Sequence, residues 1–536
     1  MKKGNNHYRS LRVFIILFAL CALLPAFGCE RANPPGVGTP GAAPIQLITL
    51  DARLSVVDDG ANLTQVVGQF ASLAYDSDGN PHIAYYDFSN GRLKYAWRPS
   101  GGIFTNEVVD ANGDVGRYAS LKLDRDNNPH IAYFDATNQQ LKYARRLGSS
   151  APWEIFVLDN PEIAFGHPGT WVSLAVGVNS GGLLPSVNIS YIEQYYYDLR
   201  YLRWLGVGVP EIYPWVDRGI GGGFSPTVGG IVNGKTSLAL DYNEIPYILY
   251  YDASSADLRI ARQILAGQDV LYPTWKLEQV QKLRTHEKLY FTETSPHQAK
   301  LEFPSTMDKS ETIISQMTGA FQSVGILKRS EYRYLDSQTI EIETASEASV
   351  YRNDYAYSIS YARADVTFPD DDYLSTIYYE KDWDEGFWND LVIEPSSNGP
   401  FHACWYNADL GDLNYGTWIR DDTQTNGGTW ILESVERGGV VGSYCSIDLY
   451  QPTAGANYSP VIAYFDTSRQ MLRFASHDQG RWIPYLVDTV FTDTQNRTFG
   501  VRAGTWSNLK VSGSTIGVAF QDIDSDILLY GEIQYP

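Results

Sequence analysis

Residues 72–87, reading Ser72-Leu73-Ala74-Tyr75-Asp76-Ser77-Asp78-Gly79-Asn80-Pro81-His82-Ile83-Ala84-Tyr85-Tyr86-Asp87, return almost unchanged 48 residues later at 120–135. A period of that length means that one supersecondary unit is stacked against copies of itself. Each copy, the first beginning near Gly68, runs on into a further alternating stretch, Leu93-Lys94-Tyr95-Ala96 or Leu141-Lys142-Tyr143-Ala144, and then to an apolar segment ending at Asp110 or Asp159. Alternation at period two puts every second side chain on one face, so each copy predicts four short antiparallel strands. The Asp-Gly-Asn run between the first two strands supplies residues that tolerate positive φ in a tight connection.

The slot held by Tyr85 recurs as Tyr133, Tyr191, Tyr250, Tyr361, Trp405, Tyr464 and Phe520, and the slot two residues earlier is apolar in every copy, from Ile83 to Val518. Both slots share a face that must be buried against the neighbouring copy. The run Ala74-Tyr75-Asp76-Ser77-Asp78-Gly79-Asn80 is similar to repeats of the NHL type, and the units resemble those of secreted bacterial β-propellers; the Pro81-His82 pair departs from that pattern. The resemblance implies a fold and not an activity. The expectation is an all-β propeller over residues 45–536 with about eight four-stranded blades. Seven is the alternative, because residues 284–343 interrupt the register as an insertion and residues 388–394 read either as a fourth strand or as the next first strand. Within the insertion, residues 310–327 are expected to carry a short helix. The last copy ends three strands into its blade, and residues 45–57 supply one unassigned strand, so the N-terminal strand is expected to close the ring and remove exposed edges.

Ahead of the repeats, Lys2, Lys3, Arg9 and Arg12 precede an apolar run from Val13 to Phe27 that ends at Gly28-Cys29. The run is shorter than the roughly 20 apolar residues that a spanning helix needs and has the order of a secretory signal. Leu24-Pro25-Ala26-Phe27-Gly28-Cys29 resembles the bacterial lipobox, with Phe27 departing from the usual small residue. That resemblance implies a signal peptide at 1–28, lipidation of Cys29 and a place on the bacterial cell envelope, at the outer membrane or cell surface, touching the membrane through the lipid anchor alone. Soluble secretion is the alternative. Residues 29–44 are Pro- and Gly-rich without periodicity and read as a flexible tether.

Loss of residues 1–28 removes four basic residues and no acid, taking the net charge from −21 to −25. A chain this acidic with no basic stripe does not neutralise a phosphate backbone, which argues against nucleic acid as a partner.

After the second strand, the copies place Asp87, Asp135, Glu193, Asp252, Asp466 and Asp522 in one slot, with Arg363 and Asn407 in the others. A rim of such carboxylates is a candidate binding surface for a cation or a polyhydroxylated ligand; equally, each Asp caps its own turn. Tyr195, Tyr196 and Tyr197 lie in a nonrepeating connection and join the candidate rim. The triplets Asp76/Asp78/Asn80, Asp110/Asn112/Asp114 and Asp522/Asp524/Asp526 alternate oxygen ligands as a calcium loop does, but none completes an EF-hand, so they read as hairpin turns and no metal or other cofactor is assigned. His82, His130 and His402 recur in equivalent places, and a residue repeated blade by blade makes a local bond more readily than it serves one reaction. Cys404 and Cys445 fall in neighbouring copies and are candidates for a disulfide or for two buried thiols.

No singular catalytic constellation stands out, and Gly219-Ile220-Gly221-Gly222-Gly223 lacks the Lys-Ser/Thr of a phosphate loop. The leading expectation is a noncatalytic binding or scaffold propeller recognising a glycan or a protein. One alternative is a glycan-cleaving enzyme using acids such as Asp370, Asp371, Asp372, Asp382, Asp384 and Glu385. The other is a structural subunit of an envelope assembly.

Overall fold

Four-stranded antiparallel sheets of one order repeat along the chain in the computed structural model. The structure describes residues 48–161, 168–178, 184–194, 197–217, 234–252, 257–264, 274–279, 284–289, 291–292, 295–301, 305, 307, 313–318, 323–327, 330–343, 355–362, 385–396, 399–408, 411–420, 428–436, 439–453, 455–478, 480–493 and 496–535. The expected signal peptide, Cys29 and the expected tether lie outside these residues.

Among the described residues seven sheets have the blade order: blade 1 (67–110), blade 2 (115–159), blade 3 (168–217), blade 4 (237–279), blade 5 (385–436), blade 6 (441–488) and blade 7 (503–534). Blade 7 takes its fourth strand from the start of the body, where Ile48–Asp58 pairs antiparallel with Ile527–Gln534 from Ala52 onward. Its first residues, Ile48 to Asp51, pair parallel with the outer strand of blade 6.

The first strands are Val67–Tyr75, Val115–Leu123, Pro168–Val176, Ser237–Leu240, Glu385–Ile393, Val441–Tyr450 and Ala503–Ser512, and each lies against the next and the last against the first. A side-chain relay runs around this circle. Ser72 Oγ accepts the Leu121 N–H at 2.9 Å, Ser120 that of Leu174 at 3.1 Å, and Ser173 that of Leu238 at 2.9 Å. Ser237 accepts from Leu391 at 3.0 Å, Asp390 from Ile447 at 3.1 Å, Ser446 from Leu509 at 3.1 Å, and Asn508 returns to Leu73 at 2.8 Å. Every bond joins one blade to the next and satisfies an inner-strand amide, which would be costly to leave unpaired.

Apolar cores fill the seven spaces between neighbours. Leu93 and Tyr95 of blade 1, for example, meet Leu121, Ile131 and Tyr133 of blade 2, and Leu528 and Tyr530 of blade 7 meet Ile83 and Tyr85 of blade 1. The recurring tyrosine slot adds a polar latch. The Tyr133 hydroxyl donates to Asp110 at 2.7 Å, the last residue of the preceding blade, and Lys142 bonds the same carboxylate at 2.6 Å. Tyr85 with Lys94 on Asp58, Tyr191 with Arg200 on Asp159, and Tyr464 with Arg473 on Glu436 repeat it.

The copy assigned to Tyr361 is not a blade. It falls on Tyr355–Ala362, which pairs with Arg284–Leu289 on one side and Ile313–Thr318 on the other, in a sheet of different order that ends with Ser323–Ile326. The insertion therefore reaches at least to Ala362. Its second sheet, Gln298–Lys300 with Thr339–Ile342 and Tyr332–Asp336, surrounds a small core of Ile314, Leu327, Tyr332, Ile340 and Ile342. Residues 313–318 and 323–326 are paired strands and not the expected helix; Ile313-Ile314 and the Val324-Gly325-Ile326 run favour extended backbone, where β-branched side chains pack without crowding a helical turn. Residues 388–394 begin within the first strand of blade 5.

Close approach of blades fixes a glycine near the start of the first strand. Gly116 has φ +108°, and a Cβ there would lie 2.8 Å from Leu93 Cα of blade 1. Gly116→Ala is expected to destabilise the fold by about 2–4 kcal/mol through combined backbone strain and overpacking, read by urea unfolding; a loss below 0.5 kcal/mol, within ordinary surface variation, would mean that the blades separate freely there.

Candidate binding site at the ring axis

The repeated carboxylates sit at the end of the propeller where the first strands begin, Asp87 pairing with Val67 and Asp135 with Val115. They do not form an open rim. Asp87, Asp135, Glu193, Asp252, Asp466 and Asp522 are all at most 2% exposed. Asp87 accepts the Asn90 N–H at 3.1 Å, Asp135 that of Asn138 at 2.9 Å, and Asp466 that of Arg469 at 2.9 Å. Asp522 accepts from Asp524 at 3.1 Å and Gly500 at 3.1 Å, and burial holds its carboxyl above the usual range. Asp252 lies 3.0 Å from Arg259. Asp87, Asp135, Asp466 and Asp522 thus stitch turns together.

Tyr197 is described and has φ +59° in its turn; Tyr195, Tyr196, Arg363, Asp370, Asp371, Asp372, Asp382, Asp384 and the Glu385 side chain lie outside the described residues. In the first oxygen triplet, Asp76 accepts from the Asp78 and Asn80 amides at 3.0 and 2.7 Å, and Asp124 does the same for Asp126 and Asn128 at 2.9 and 2.8 Å. In the second, Asp110 is held by Tyr133 and Lys142; in the third, Asp524 pairs with Arg502. Among the described residues no group of three or more His, Cys, Asp or Glu is arranged to hold a metal ion.

The histidines make one repeated local bond. His82, His130 and His402 each contact a tyrosine on the third strand of the same blade, Tyr95, Tyr143 and Tyr415, and an acid at the preceding turn, Asp76, Asp124 and Glu394. In blade 3, Asn188 accepts from Tyr201 at 2.6 Å in the same place. Cys404 and Cys445 are fully buried thiols with their sulfurs 2.8 Å apart across blades 5 and 6, and burial pushes the Cys404 thiol up.

A different set of residues converges on the axis. Phe70, Tyr118, Trp171, Trp388, Tyr444 and Trp506 each stand two residues after the close-approach glycine and two before the relay residue, giving Gly-x-aromatic-x-Ser/Asp/Asn in six blades. Blade 4 has Lys235 in the aromatic position, two residues before Ser237. All six aromatics have left-handed backbone, with φ between 51° and 56°. The strand pairing shifts register on either side of each one, as between Gln69 and Ser72 or Arg117 and Ser120. Such a bulge re-aims a side chain away from simple alternation.

The re-aimed rings meet in a circle. Centroid separations are 4.6 Å for Phe70–Tyr118, 4.8 Å for Tyr118–Trp171, 5.7 Å for Trp171–Trp388, 4.0 Å for Trp388–Tyr444, 5.0 Å for Tyr444–Trp506 and 4.2 Å for Trp506–Phe70. All six are half-buried. Burial raises the Tyr118 hydroxyl and pushes that of Tyr444 up to about 12, so both stay neutral donors near pH 7. A cavity of about 130 Å³ is lined by the six rings, by the relay residues Ser72, Ser120, Ser173, Ser237, Asp390 and Asn508, and by Lys122, Lys235 and Lys510. Its chemistry is a set of apolar faces with a few polar groups behind them, the usual make-up of a small-molecule site.

The sequence reading singled out the carboxylates at this end of the propeller and not these side chains. The signal that locates them is the aromatic between the repeated glycine and the repeated Ser, Asp or Asn.

No family model and no curated protein matches the chain. Among solved structures, the chain is similar to AofleA from Arthrobotrys oligospora, at 10% identity with 82% of this chain and 93% of that one covered and a TM-score of 0.39. It is similar to the fucose-specific lectin from Aleuria aurantia at 10% identity, 79% and 95% coverage and a TM-score of 0.38. It is also similar to the polysaccharide lyase Uly1, at 9% identity, 86% and 89% coverage and a TM-score of 0.41.

Proposed function

We propose that this chain is an envelope-displayed binding propeller that holds a glycan at its axial mouth, tethered through Cys29. The observation that carries the reading is the circle of six aromatics kept in strained backbone around a polar-backed cavity. Left-handed backbone costs a bulky residue about 1–2 kcal/mol, and Gly or Asn fits the same bulge more easily, so the retained rings are doing something other than forming the turn. A pyranose offers an apolar C–H face for the negative face of a ring and hydroxyls for groups such as Ser, Asn and Lys.

Binding without turnover fits the carboxylates nearby. Asp390 accepts from the Ile447 and Leu391 amides and the Ser237 and Ser446 hydroxyls, and Asp448 accepts from the Val511 amide at 2.8 Å and the Leu449 amide at 3.0 Å. Both are committed to holding strands, whereas a glycosidase uses a pair of carboxylates at a set separation across the scissile bond.

The test is a glycan array probed with the full-length chain in detergent, with and without calcium. Binding to a related group of glycans, unchanged by calcium removal, is the expected result. Silence across the array in both conditions would overturn the glycan reading and leave a protein partner as the alternative.

A further inference from the structure

Lys122, Lys235, Asp390 and Lys510 line the axial cavity, and a fifth charged side chain, Asp448, lies beside Lys510. On the first strands of blades 2 and 7, Lys122 and Lys510 each follow the relay residue by two positions; blade 6 puts Asp448 there, and Asp390 and Lys235 lie closer to the rings. The equivalent positions in blades 1, 3, 4 and 5 are Ala74, Ala175, Ala239 and Val392. Two of the cations have acids beside them: Lys510 Nζ is 3.9 Å from Asp448 Oδ2, and Lys235 Nζ is 3.9 Å from Asp390 Oδ1. Asp390 is itself stabilised as an anion, since the Lys235 and Lys510 charges and the hydrogen bonds from Ser446 and Ile447 outweigh burial and lower its carboxyl. Three cations against two anions leave this cluster with one positive charge. It belongs to Lys122, whose Nζ has no ion pair and no hydrogen bond among the described residues although it lines the cavity.

We infer that the axial site selects a sugar carrying one anionic group, carboxylate or sulfate, with its ring on the aromatic circle and its charge directed at Lys122. The inference rests on the glycan-binding reading and narrows its ligand class. A half-enclosed cation without a counter-ion is unfavourable, and a single ligand anion supplies what the chain omits. Only one such group is accommodated, because a second negative charge would meet Asp390 with no further unpaired cation among the described residues that line the cavity. An ammonium is a point charge with three rotatable donors, so it accepts either a carboxylate or a sulfate.

The charge state of the site sets its pH range. Burial, then the neighbouring Lys510, and to a lesser degree Lys235, depress the Lys122 ammonium to about 8, opposed by Asp390 and Asp448. The amine is protonated and attractive below that value and neutral above it, so preference for the anionic sugar is present at pH 6–7 and fades as pH rises past about 8. A bound anion pulls the transition upward by favouring the charged form.

The experiment is a ligand-observed NMR titration of the full-length chain with glucuronate, glucose 6-sulfate and glucose, which differ only at C6. At pH 6.5 at least one of the two anionic sugars is expected to bind about tenfold or more tightly than glucose, as a charge-assisted contact would give, and the tighter of the two identifies the source of the anion. In Lys122→Met, checked for an unaltered melting profile, the anionic-to-neutral ratio is expected to fall to within about twofold of one, and Lys122→Arg is expected to restore most of it. Glucose binding as tightly as both anionic sugars would overturn the inference while leaving the glycan reading standing. If Lys122→Met keeps the full ratio, the anion is read elsewhere and the inference also fails. Failure of all three sugars, together with a silent glycan array, would remove the glycan reading itself and the inference with it.

Discussion

Replacing Arg473 with Met is expected to cost the fold about 3–5 kcal/mol, the range for breaking a buried ion pair from one side. Arg473 is fully buried, and its guanidinium donates to Glu436 Oε1 at 2.8 Å, Asp466 Oδ2 at 3.2 Å and the Tyr485 carbonyl at 2.9 Å. Met fills the space of the aliphatic stem and removes every donor. Asp466 keeps Arg469 at 2.8 Å, but Glu436 is left with the Tyr464 hydroxyl and no cation. Burial already holds the Glu436 carboxyl above its usual value, with Arg473 opposing that rise. Without Arg473 it moves higher and takes up a proton more readily on folding. Folding of the variant then gains relative to unfolding as pH falls, because the folded state binds the extra proton before the unfolded one does. Urea unfolding should therefore show a larger deficit at pH 8 than at pH 5, and the double change Arg473→Met with Glu436→Gln should recover part of it. A deficit under 1 kcal/mol, or one independent of pH, would show that the latch between blades 5 and 6 is not a load on the fold.

The same latch explains why the repeat is so legible. Tyr133 must reach back to Asp110 while Lys142 crosses to the same carboxylate, so three positions in two successive copies are constrained together. Packing on both faces of each blade adds the apolar slots, and the 48-residue period follows. Blade number is harder to read because alternation reports a half-buried strand and not its partners. Tyr355–Ala362 has the blade-like pattern Tyr357-Ser358-Ile359-Ser360-Tyr361, yet its neighbours in the sheet come from inside the insertion. Only the pairing distinguishes the two, and pairing is a long-range property.

The candidate site was partly legible for a related reason. Asp87 and its counterparts mark the end of the propeller where the axial mouth lies, but a sequence cannot tell a carboxylate facing solvent from one whose oxygens are taken by the third residue of its own turn. The aromatics escaped because the bulge between Gln69 and Ser72 adds a residue and flips the side-chain parity. Read as a regular strand, Phe70 shares a face with Ser72; in the bulge, its backbone turns left-handed and the ring goes to the axis. A search for glycine spacing rather than alternation finds all six.

That backbone gives the axial circle a signature that separates a binding platform from a simple plug. Trp388 has φ 54° and touches Trp171, Tyr444 and Trp506 at centroid distances of 5.7, 4.0 and 5.7 Å. Trp388→Ala loses these contacts and keeps a Cβ in the left-handed region, whereas Trp388→Gly loses the same contacts and relieves the strain. The glycine variant is therefore expected to be the more stable of the two by about 1 kcal/mol, the reverse of the order in an ordinary strand, where glycine is worse than alanine by about 0.5–1 kcal/mol. Both variants are expected to lose glycan affinity by about ten- to a hundredfold, since a central aromatic is the kind of side chain that dominates a small contact surface. Urea unfolding and array binding of the two variants give four numbers that must agree. A circle built only to seal the axis predicts the opposite pattern: stability falling by several kcal/mol in both variants and binding unchanged. A circle built to hold a sugar leaves Trp388→Gly folded and unable to bind, because the ring is then the one thing that has been removed while the bulge that presents it is kept.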